Sequence, residues 1–505
     1  MNKPSLSAHC LASTRVLDQS QEEQEPENGG NEDACEAEES TEKGPLHEEQ
    51  GIRIELEIRQ RGRDQETHSQ ASGTESDSTS ETSSDDGSTG SSHRLDVHNY
   101  TSCIQETQLS PDGTCIFTSD LNRSFSVYPV DTSIQAKDSP RPLKPYSQLT
   151  SSDPIWAFAA NPHFDVNDAN STHVLISRRD RYITLHNALW DVNNPNPTTS
   201  PDKPVNIATP LTCYKLVNPL TEAVSAPLSL VYTHSGTHFF ASHQNAIATF
   251  DLEHPSAPIH TIPTIPATRT KLKGGGRGFK GWITALSLSP PSTFASGGML
   301  AAGARTRHVG IYDALSGQEV TTFELPRPTT RPTAPPRDAL GDGVASLRHS
   351  PCGAYLYVAE RMSDALLIYD VRNFRAALAY CACRTARTKQ KLGFDVWGAG
   401  ASVHDVGARA HEVWAGGTDG MVRVWRDPYL KEGAVQPDEV VQIGDGSMPV
   451  VGTMVHQSGS VLVAACGRLE LEDDADAARG MGRRRGGQGK PKYREWGSLD
   501  IMGLT

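Results

Sequence analysis

The chain has no long apolar run and no ordered set of cysteines. Because no stretch of about 18 apolar residues occurs, the sequence predicts no membrane-spanning helix. The first twenty residues have no apolar core and lead into an acidic run, so we expect no secretory signal. The nine cysteines are odd in number, and none stands at zinc-ligand spacing. This usage predicts free thiols in a reduced intracellular compartment, with no disulfide framework and no metal site.

Basic residues are scarce only in the first fifth of the chain. The 505 residues carry a formal net charge of −14. Residues 1–97 contain 23 acidic and 8 basic side chains, whereas the remaining residues contain 38 acidic and 39 basic ones. The acidity therefore belongs to the N-terminal segment. The nearly neutral remainder leaves room for a basic patch.

Residues 1–97 also lack the apolar content that a folded core requires. Glu, Ser, Gly, Thr and Asp dominate between Gln19 and His93, with almost no aromatic residues, which predicts a disordered acidic tail. The alternating apolar residues of GIRIELEIRQRGR, residues 51–63, predict either a transient strand or a strand that docks on a partner. The run TESDSTSETSSDDGSTGSS is typical both of acidic-kinase substrates and of a solvating arm.

A turn signature recurs along the rest of the chain, just ahead of β-rich stretches. It consists of Ser or His, then Pro or Ser, then usually Gly, followed by alternating apolar residues. Gly supplies the positive φ of a tight turn, and Pro presets the φ before it. The copies are LSPDGTCIFTSD at 109–120, THSGTHFFASH at 233–243, SLSPPSTFASGGMLAAG at 287–303, HSPCGAYLYVAE at 349–360 and HQSGSVLVAACG at 456–467.

A second rule links the next turn to an aromatic residue or His six positions later, near a strand end. The pairs are Asn122 and Tyr128, Asp180 and His186, Thr306 and Tyr312, Ser363 and Tyr369, and Asp419 and Trp425. Turn residues of these types accept backbone N–H bonds, and the aromatic or His ring occupies the same position in each unit. Such a unit is typical of a blade of a WD-repeat β-propeller, and GTDGMVRVWRD is its clearest copy.

Seven units can be counted, so the sequence predicts an all-β, seven-bladed WD-repeat β-propeller over residues 98–505 behind the disordered acidic tail. The units lie at about 100–130, 155–190, 225–252, 282–317, 344–374, 394–428 and 449–504. The Pro-, Gly- and charge-rich insertions at 131–153, 193–206, 325–343 and about 468–492 are predicted to be loops, the last of them inside the final blade. A pair of β-sandwiches also suits many short strands, but it gives no reason for the six-residue rule to recur.

The prediction includes how the ring closes. The segment YREWGSLDIMGL, residues 493–504, is predicted to be the closing strand. We expect it to pair near Val97–Cys103, where the first unit begins.

No catalytic constellation stands out. The sequence contains no GxSxG, HExxH or Walker A motif, and the Gly-rich KGGGRGFKG at 273–281 lacks phosphate-loop spacing. We therefore expect a protein that is not an enzyme, with no cofactor and no small-molecule substrate.

Basic residues do cluster in predicted turns and loops. SRRDR, ARTRH, CRTARTKQKLGF and MGRRRGGQGKPKYR are four such clusters, and TRTKLKGGGRGFK is a loop with five cations and no acid. Scattered around a ring they would serve solubility, whereas gathered at one rim they would form a phosphate-binding face. The candidate RNA-binding residues in these segments are Arg178, Arg179, Arg181, Lys271, Lys273, Arg277, Lys280 and Arg305.

The order of the units resembles the telomerase Cajal body protein family, WD-repeat proteins that bind small Cajal-body RNAs and telomerase RNA. The resemblance covers about residues 98–505. Segments that carry it are TQLSPDGTCIFTSDLNRSFSVYPV, DPIWAFAANPHF with THVLISRRDRYITLHNALWD, LSLVYTHSGTHFFASHQNAIATFDL, GWITALSLSP, ERMSDALLIYDVRN, RTKQKLGFDVWGAG and WAGGTDGMVRVW. A charged insertion before the last strand is also similar to the family.

The resemblance implies a non-catalytic RNA-binding scaffold of nuclear ribonucleoproteins that directs their localisation or assembly. It places Arg178, Arg179, Arg361, Gln390 and Lys391 at positions that face the RNA. Trp282 is a candidate either for stacking on a base or for a buried structural position. The implied partners are small nuclear or Cajal-body RNA, the telomerase ribonucleoprotein and other protein subunits, with no membrane. The implied location is the nucleus, including Cajal bodies, with a cytoplasmic fraction.

A protein-interaction hub without direct RNA contact is the alternative, for example in assembly of spliceosomal small nuclear ribonucleoproteins. Propellers often bind peptides on one face, and the acidic tail suits basic partners.

Overall fold

The chain folds into seven β-sheets arranged around a common centre. The computed structural model describes residues 6–15, 101–131, 139–193, 203–218, 221–265, 278–293, 295–327, 336, 340–398, 410–471 and 493–505. The strands of the first three blades and the closing strand are β1 (Ala8–Ser13), β2 (Ile104–Leu109), β3 (Cys115–Asp120), β4 (Ser124–Pro129), β5 (Arg141–Pro142), β6 (Ser147–Thr150), β7 (Ile155–Ala160), β8 (His173–Arg178), β9 (Ile183–Asn187), β10 (Val205–Asn206), β11 (Thr212–Tyr214), β12 (Leu230–Tyr232), β13 (His238–His243), β14 (Ala246–Asp251) and β15 (His260–Pro263). The strands that follow are β16 (Ile283–Leu288), β17 (Met299–Ala304), β18 (His308–Asp313), β19 (Glu319–Glu324), β20 (Val344–His349), β21 (Tyr355–Glu360), β22 (Leu366–Asp370), β23 (Ala379–Cys381), β24 (Phe394–Trp397), β25 (Glu412–Gly416), β26 (Met421–Arg426), β27 (Gly433–Val435), β28 (Glu439–Gln442), β29 (Val450–Val455), β30 (Val461–Leu471) and β31 (Tyr493–Leu504), with a 3-10 turn at Pro428–Leu430.

Each blade is an antiparallel sheet of four strands whose first strand lines a central cavity, and in three blades a short parallel strand (β10, β27 or β5) is added outside the fourth strand. From the inside outwards the blades are β2-β3-β4-β6, β7-β8-β9-β11, β12-β13-β14-β15, β16-β17-β18-β19, β20-β21-β22-β23, β24-β25-β26-β28 and β29-β30-β31-β1. The predicted seven-bladed WD-repeat propeller is confirmed. No helix among the described residues is long and apolar enough to cross a membrane.

The recurring turn signature joins the inner strand of a blade to its second strand. In the first blade Gly113 has a φ of 77°, and the Ser110 hydroxyl oxygen accepts the Cys115 N–H at 2.9 Å. The fifth blade repeats the arrangement, with Gly353 at a φ of 69° and Ser350 accepting from Tyr355. A left-handed glycine and a hydroxyl acceptor therefore form the same turn in both blades, as the signature predicts.

The rings of the six-residue rule all lie buried in the third strands. They are Tyr128, His186, Tyr312, Tyr369 and Trp425. Phe250 of the third blade occupies the same slot and is also fully buried. In the sixth blade the Trp425 Nε1–H donates to the Val435 carbonyl at 3.0 Å, so this ring is held by a hydrogen bond as well as by packing.

The apolar core is divided among the interfaces between neighbouring blades. Phe125 of the first blade meets Phe158 of the second edge-on, with ring centroids 5.1 Å apart. Tyr214 of the second blade meets Phe239 and Phe250 of the third in the same way, at 5.0 and 5.9 Å. Each sheet therefore buries both faces against its neighbours.

The ring closes differently from the prediction. The fourth strand of the last blade is β1, which pairs antiparallel with β31, so that Ser13 lies opposite Asp500. Residues 493–504 form the third strand of that blade and pair with β30 and β1, while residues 97–100 of the expected partner segment lie outside the described residues. The expectation that all of residues 1–97 precede the propeller as a tail is therefore wrong for Ala8–Ser13. The prediction missed this strand because about ninety residues separate it in sequence from the first inner strand.

Two predicted loops also contain short strands. In the insertion at 131–153 the structure forms β5 and β6, and in the insertion at 193–206 it forms β10. β5 pairs parallel with β1, and β10 pairs parallel with β6. These strands cover the outer edges of two blades, where backbone N–H and C=O groups would otherwise be unpaired. The described part of the insertion at 325–343 forms no strand, and residues 472–492 lie outside the described residues.

Candidate ligand-binding face

Strand direction places two kinds of turn at the same end of every blade. Because neighbouring strands are antiparallel, the turn from the second to the third strand and the connection from the outer strand to the next inner strand share one end. We call this end the upper face and the opposite end the lower face. The upper face comprises the turns 121–123, 179–182, 244–245, 305–307, 361–365 and 417–420 and the described parts of the connections 151–154, 215–229, 264–282, 325–343, 382–393 and 443–449.

The described candidate RNA-binding residues all lie on the upper face. Those in turns or at strand ends are Arg178, Arg179, Arg181, Arg305 and Arg361, and those in connections are Lys280, Gln390 and Lys391. Lys271, Lys273 and Arg277 lie outside the described residues. The topology thus brings together basic segments that are up to about two hundred residues apart in sequence.

The lower face carries a repeated set of acidic side chains. In the third, fourth and fifth blades the third strand ends in Asp251, Asp313 or Asp370, and each carboxylate accepts a backbone N–H two or three residues further on. These bonds hold the pKa of Asp251 and Asp313 below the usual range. The acidic side chain at the end of the third strand is therefore a repeated feature of the lower face, and Asp370 is also paired there with Arg372.

The first basic cluster stands on the turn of the second blade. Arg181 Nε lies 2.9 Å from Asp153 Oδ2, and Arg179 Nε lies 3.4 Å from Asp180 Oδ2. Arg178 has weaker compensation, because its Nη2 donates to Thr184 Oγ1 at 3.4 Å while its buried Nε has no hydrogen-bond partner among the described residues. Burial, followed by the positive charge of Arg181, lowers the pKa of Arg178. An anionic ligand would offset the desolvation of this guanidinium.

The second cluster joins the fourth and fifth blades. Arg307 binds Glu360 with two hydrogen bonds, from Nε at 2.6 Å and from Nη2 at 3.1 Å, and is thereby occupied. The neighbouring Arg305 is exposed and has no ion pair among the described residues. Arg361 Nη1 donates to the carbonyl oxygen of Lys389, so this side chain holds the turn of the fifth blade to the connection that leads into the sixth.

The third cluster, residues 384–391, contains one cation that is not accessible. Arg384 is only 1 % exposed, and its guanidinium donates to the carbonyl oxygens of Gly416, Leu392 and Gly393 at 3.2, 3.1 and 2.6 Å. Burial lowers its pKa to about 10, so the group stays charged at neutral pH. Arg384 therefore anchors the connection, while Arg387 is exposed and Lys389 half-buried, neither with an ion pair among the described residues.

Gln390 and Lys391 point towards the first blade. Lys391 Nζ lies 2.6 Å from Glu106 Oε1, and Gln390 Nε2 lies 3.9 Å from Cys103 Sγ. Glu106 and Lys391 both line a central cavity of about 500 Å³ that is formed by the seven inner strands. These two candidate residues therefore link the connection into the sixth blade to the first blade. An anionic ligand would have to compete with Glu106 for Lys391.

The structure also places the residues singled out as structural blade positions. Asp419 lies 2.6 Å from Arg423 and accepts the Met421 N–H at 3.3 Å, as expected for a turn residue. Asp180 adopts a left-handed φ of 57° in its turn and pairs with Arg179. The buried rings Tyr128, Tyr312, Tyr369 and Trp425 have been described above.

An aromatic pair lies between the turns of the third and fourth blades. The rings of His243 and Trp282 are nearly parallel, at 17°, with centroids 6.4 Å apart. Trp282 remains 37 % exposed. The sequence singled out Trp282 as a stacking candidate but missed His243. The neighbouring Gln244-Asn245 turn could have pointed to His243, because Asn245 holds the Trp282 segment in place.

Among the described residues, no cluster of three His, Cys, Asp or Glu side chains could hold a metal ion. The sites of interest in this part of the chain are thus the cationic and aromatic groups of the upper face.

Comparison with known proteins gives one distant relative. No protein-family model matches the chain. The chain is similar to the Schizosaccharomyces pombe protein named guanine nucleotide-binding protein negative regulator 1, with 25 % identity over 339 residues. The similarity covers 65 % of this chain and 72 % of that protein. Together with the seven blades, it fits a WD-repeat protein.

Proposed function

We propose that the protein is a non-catalytic scaffold that binds RNA through its upper face. The observation that carries the proposal is the collection of cationic turns at one end of the ring. Lys280, Arg305 and Arg387 are exposed there without an ion pair among the described residues. Phosphate groups of RNA would supply the counter-charges, as in other nucleic-acid-binding surfaces.

The finer part of the proposal concerns which RNA is bound and where. The resemblance to the telomerase Cajal body protein family favours small nuclear or Cajal-body RNAs and the telomerase ribonucleoprotein as clients. It also favours a nuclear location that includes Cajal bodies. In this role the propeller holds the RNA and other protein subunits together and directs their assembly or localisation, and it makes or breaks no covalent bond.

A second candidate is a protein-interaction scaffold that binds no RNA directly. A WD-repeat propeller suggests such a scaffold, and the S. pombe relative is named as a negative regulator of a guanine nucleotide-binding protein. By this analogy the chain would bind a protein of that kind. Ion pairs such as Arg307–Glu360 and Lys391–Glu106 favour this candidate, because they reduce the cationic charge available to phosphates.

Salt dependence separates the two candidates. RNA that crosslinks to the full-length protein in cells would first be recovered and sequenced, and its affinity would then be measured over a range of salt concentrations. A phosphate-dominated complex weakens steeply, with a log–log slope of about −0.7 per neutralised phosphate on single strands. We expect the double variant Arg305→Ala, Arg387→Ala to weaken binding and to make the slope shallower by about 1.4, which is the loss of two phosphate contacts.

The lower face provides a matched control. Lys203 and Arg375 are exposed cations there, so Lys203→Ala with Arg375→Ala removes the same charge from the ring. We expect this variant to bind RNA as the wild type does. If the two double variants behave alike, the upper face is not the RNA site. Recovery of no RNA above background, together with a co-purifying protein partner, would favour the second candidate.

A further inference from the structure

The part of the upper face between the third and fourth blades combines an exposed ring with uncompensated cations. Lys280 and Trp282 lie in the connection that enters the fourth blade, and Arg305 lies in the turn of that blade. The Arg305 N–H donates to the Trp282 carbonyl at 3.0 Å, so the two residues are neighbours in space. The Thr306 hydroxyl donates to the Lys280 carbonyl at 2.7 Å. These bonds bring the backbones of Lys280, Trp282 and Arg305 together at one place on the upper face, so that an indole, an ammonium and a guanidinium group start from neighbouring positions.

The segment that carries Trp282 is fixed from the third blade as well. The Gly281 N–H donates to Asn245 Oδ1 at 2.7 Å, and the Asn245 N–H donates to the Gly281 carbonyl at 2.9 Å. Asn245 has a left-handed φ of 61°, a conformation that asparagine tolerates better than most residues. The indole is therefore held between two turns and does not lie on a free loop.

Trp282 has one ring face that is supported and a surface that is open. His243 lies nearly parallel to it, at a centroid distance within the range of stacked aromatic pairs. The Nδ1 of His243 is within 2.9 Å of the Gln244 carbonyl, which holds this ring in turn. An aromatic ring that is 37 % exposed, on a backbone that these bonds hold in place, offers a flat apolar surface to a ligand.

We propose that Trp282, backed by His243, is a stacking site for one unpaired base, and that Lys280 and Arg305 bind the phosphates next to that base. This inference rests on the proposed RNA-binding function and names the class of RNA that the site takes: a single-stranded segment. A base in a duplex has both faces covered by its neighbours, whereas an unpaired base offers a free π-face to an aromatic side chain. The site requires no particular base, because every base has such a face.

The test uses the full-length protein and two labelled RNAs of ten nucleotides, one an oligoadenylate and the other a duplex. We expect the single strand to bind more tightly than the duplex. Trp282→Ala should weaken oligoadenylate binding by roughly five- to 150-fold, the range observed when one base-stacking aromatic residue is removed. Trp282→Phe should retain most of the affinity. Neither variant should change the log–log salt slope, because no charge is removed.

Trp496 provides the matched control, because it is a tryptophan on the last blade with the same 37 % exposure. Trp496→Ala should leave the affinity for the oligoadenylate unchanged. The variant Lys280→Ala, Arg305→Ala should weaken binding and make the salt slope shallower by about 1.4, a change that the loss of a structural residue would not cause. Thermal unfolding of each variant shows whether it is folded.

The outcomes distinguish the inference from the function on which it rests. If the wild type binds oligoadenylate with a steep salt dependence and Trp282→Ala binds equally well, the stacking site is wrong and the RNA-binding function stands. Equal binding of duplex and single strand would also contradict the stacking site. If the wild type binds neither RNA, while a protein partner is lost on Trp282→Ala, the surface serves a protein and the proposed function itself fails.

Discussion

Arg307 and Glu360 form a two-bond ion pair that joins the fourth blade to the fifth at the upper face. The Glu360 side chain is only 2 % exposed, and Arg307 also donates to the Pro326 carbonyl at 2.9 Å. The hydrogen bonds that Arg307 donates to Glu360 raise the pKa of Arg307. Because both carboxylate oxygens are satisfied by one guanidinium, removal of either partner leaves a buried charge without compensation.

We therefore expect Glu360→Ala to lower the free energy of unfolding by about 3–5 kcal/mol, as is typical for a broken buried ion pair. Urea denaturation at neutral pH measures the change. The exposed pair of Arg327 and Glu324 serves as the control, since Glu324→Ala should cost about 0–1 kcal/mol. Equal costs for the two substitutions would show that the Glu360 pair is solvated in solution.

Closure of the ring by the N-terminal strand leads to a second prediction. Leu11 is 5 % exposed and packs in the core cluster between the last blade and the first. Leu11→Ala should destabilise the whole propeller by about 2–5 kcal/mol. Ser7→Ala, which removes only an exposed hydroxyl bond to Thr505, should change stability by less than about 0.5 kcal/mol. A cooperative melt that Leu11→Ala does not shift would contradict the assignment of Ala8–Ser13 as the closing strand.

The buried ring of the second blade predicts a pH dependence. His186 is fully buried, with Nδ1 2.9 Å from the Ile207 carbonyl and Nε2 2.9 Å from Thr184 Oγ1. Burial lowers its pKa to about 4, whereas the imidazole of an unfolded chain titrates near 6.5. The unfolded state therefore takes up a proton first as the pH falls. The stabilising contribution is complete above about pH 6.5 and is lost progressively between pH 6.5 and pH 4.

His186→Tyr tests this pH dependence, because tyrosine fills the same slot in three other blades. The free energy of unfolding of this variant, measured with urea from pH 4 to pH 7, should depend less on pH than that of the wild type. Some dependence should remain, since burial also lowers the pKa of His349, to about 3. Identical pH profiles for the variant and the wild type would show that His186 is not buried as a neutral ring.

Trp425 is the ring for which packing and hydrogen bonding can be separated. Trp425→Ala should cost about 3–5 kcal/mol, because it empties the largest fully buried side-chain position. Trp425→Phe retains much of the packing and removes the bond to the Val435 carbonyl, so it should cost less. Thermal or urea unfolding measures both. An unchanged melt for Trp425→Ala would contradict the blade assignment.

The repeat itself could be predicted from the sequence because its signals are local. A turn residue and a ring six positions later lie within one hairpin, so Asp419 and Trp425 carry the same information in the sequence as in the structure. The outer strands carry less of this information in their own sequence. β11 and β23 are three residues long, and Val205–Asn206 is a strand only because β6 lies beside it. Such strands take their conformation from a partner rather than from their own pattern.

The candidate site could be predicted in part. The basic turns were visible as clusters, and strand alternation then places them on one face. Which cations remain available was not visible, because their partners lie far away in sequence. Lys391 pairs with Glu106, 285 residues away, and Arg384 is buried by carbonyl groups of the next blade.

By itself the sequence determined that the chain forms seven similar β-sheets, because each turn and each buried ring is specified within about thirty neighbouring residues. Only the tertiary structure decided that Ala8–Ser13 closes the ring against residues at the other end of the chain. The tertiary structure also decided which arginines form ion pairs and which remain exposed. The physical reason is that backbone hydrogen bonds within a hairpin follow from local geometry. A closing strand or a buried ion pair, in contrast, exists only after the whole ring has brought its two halves together.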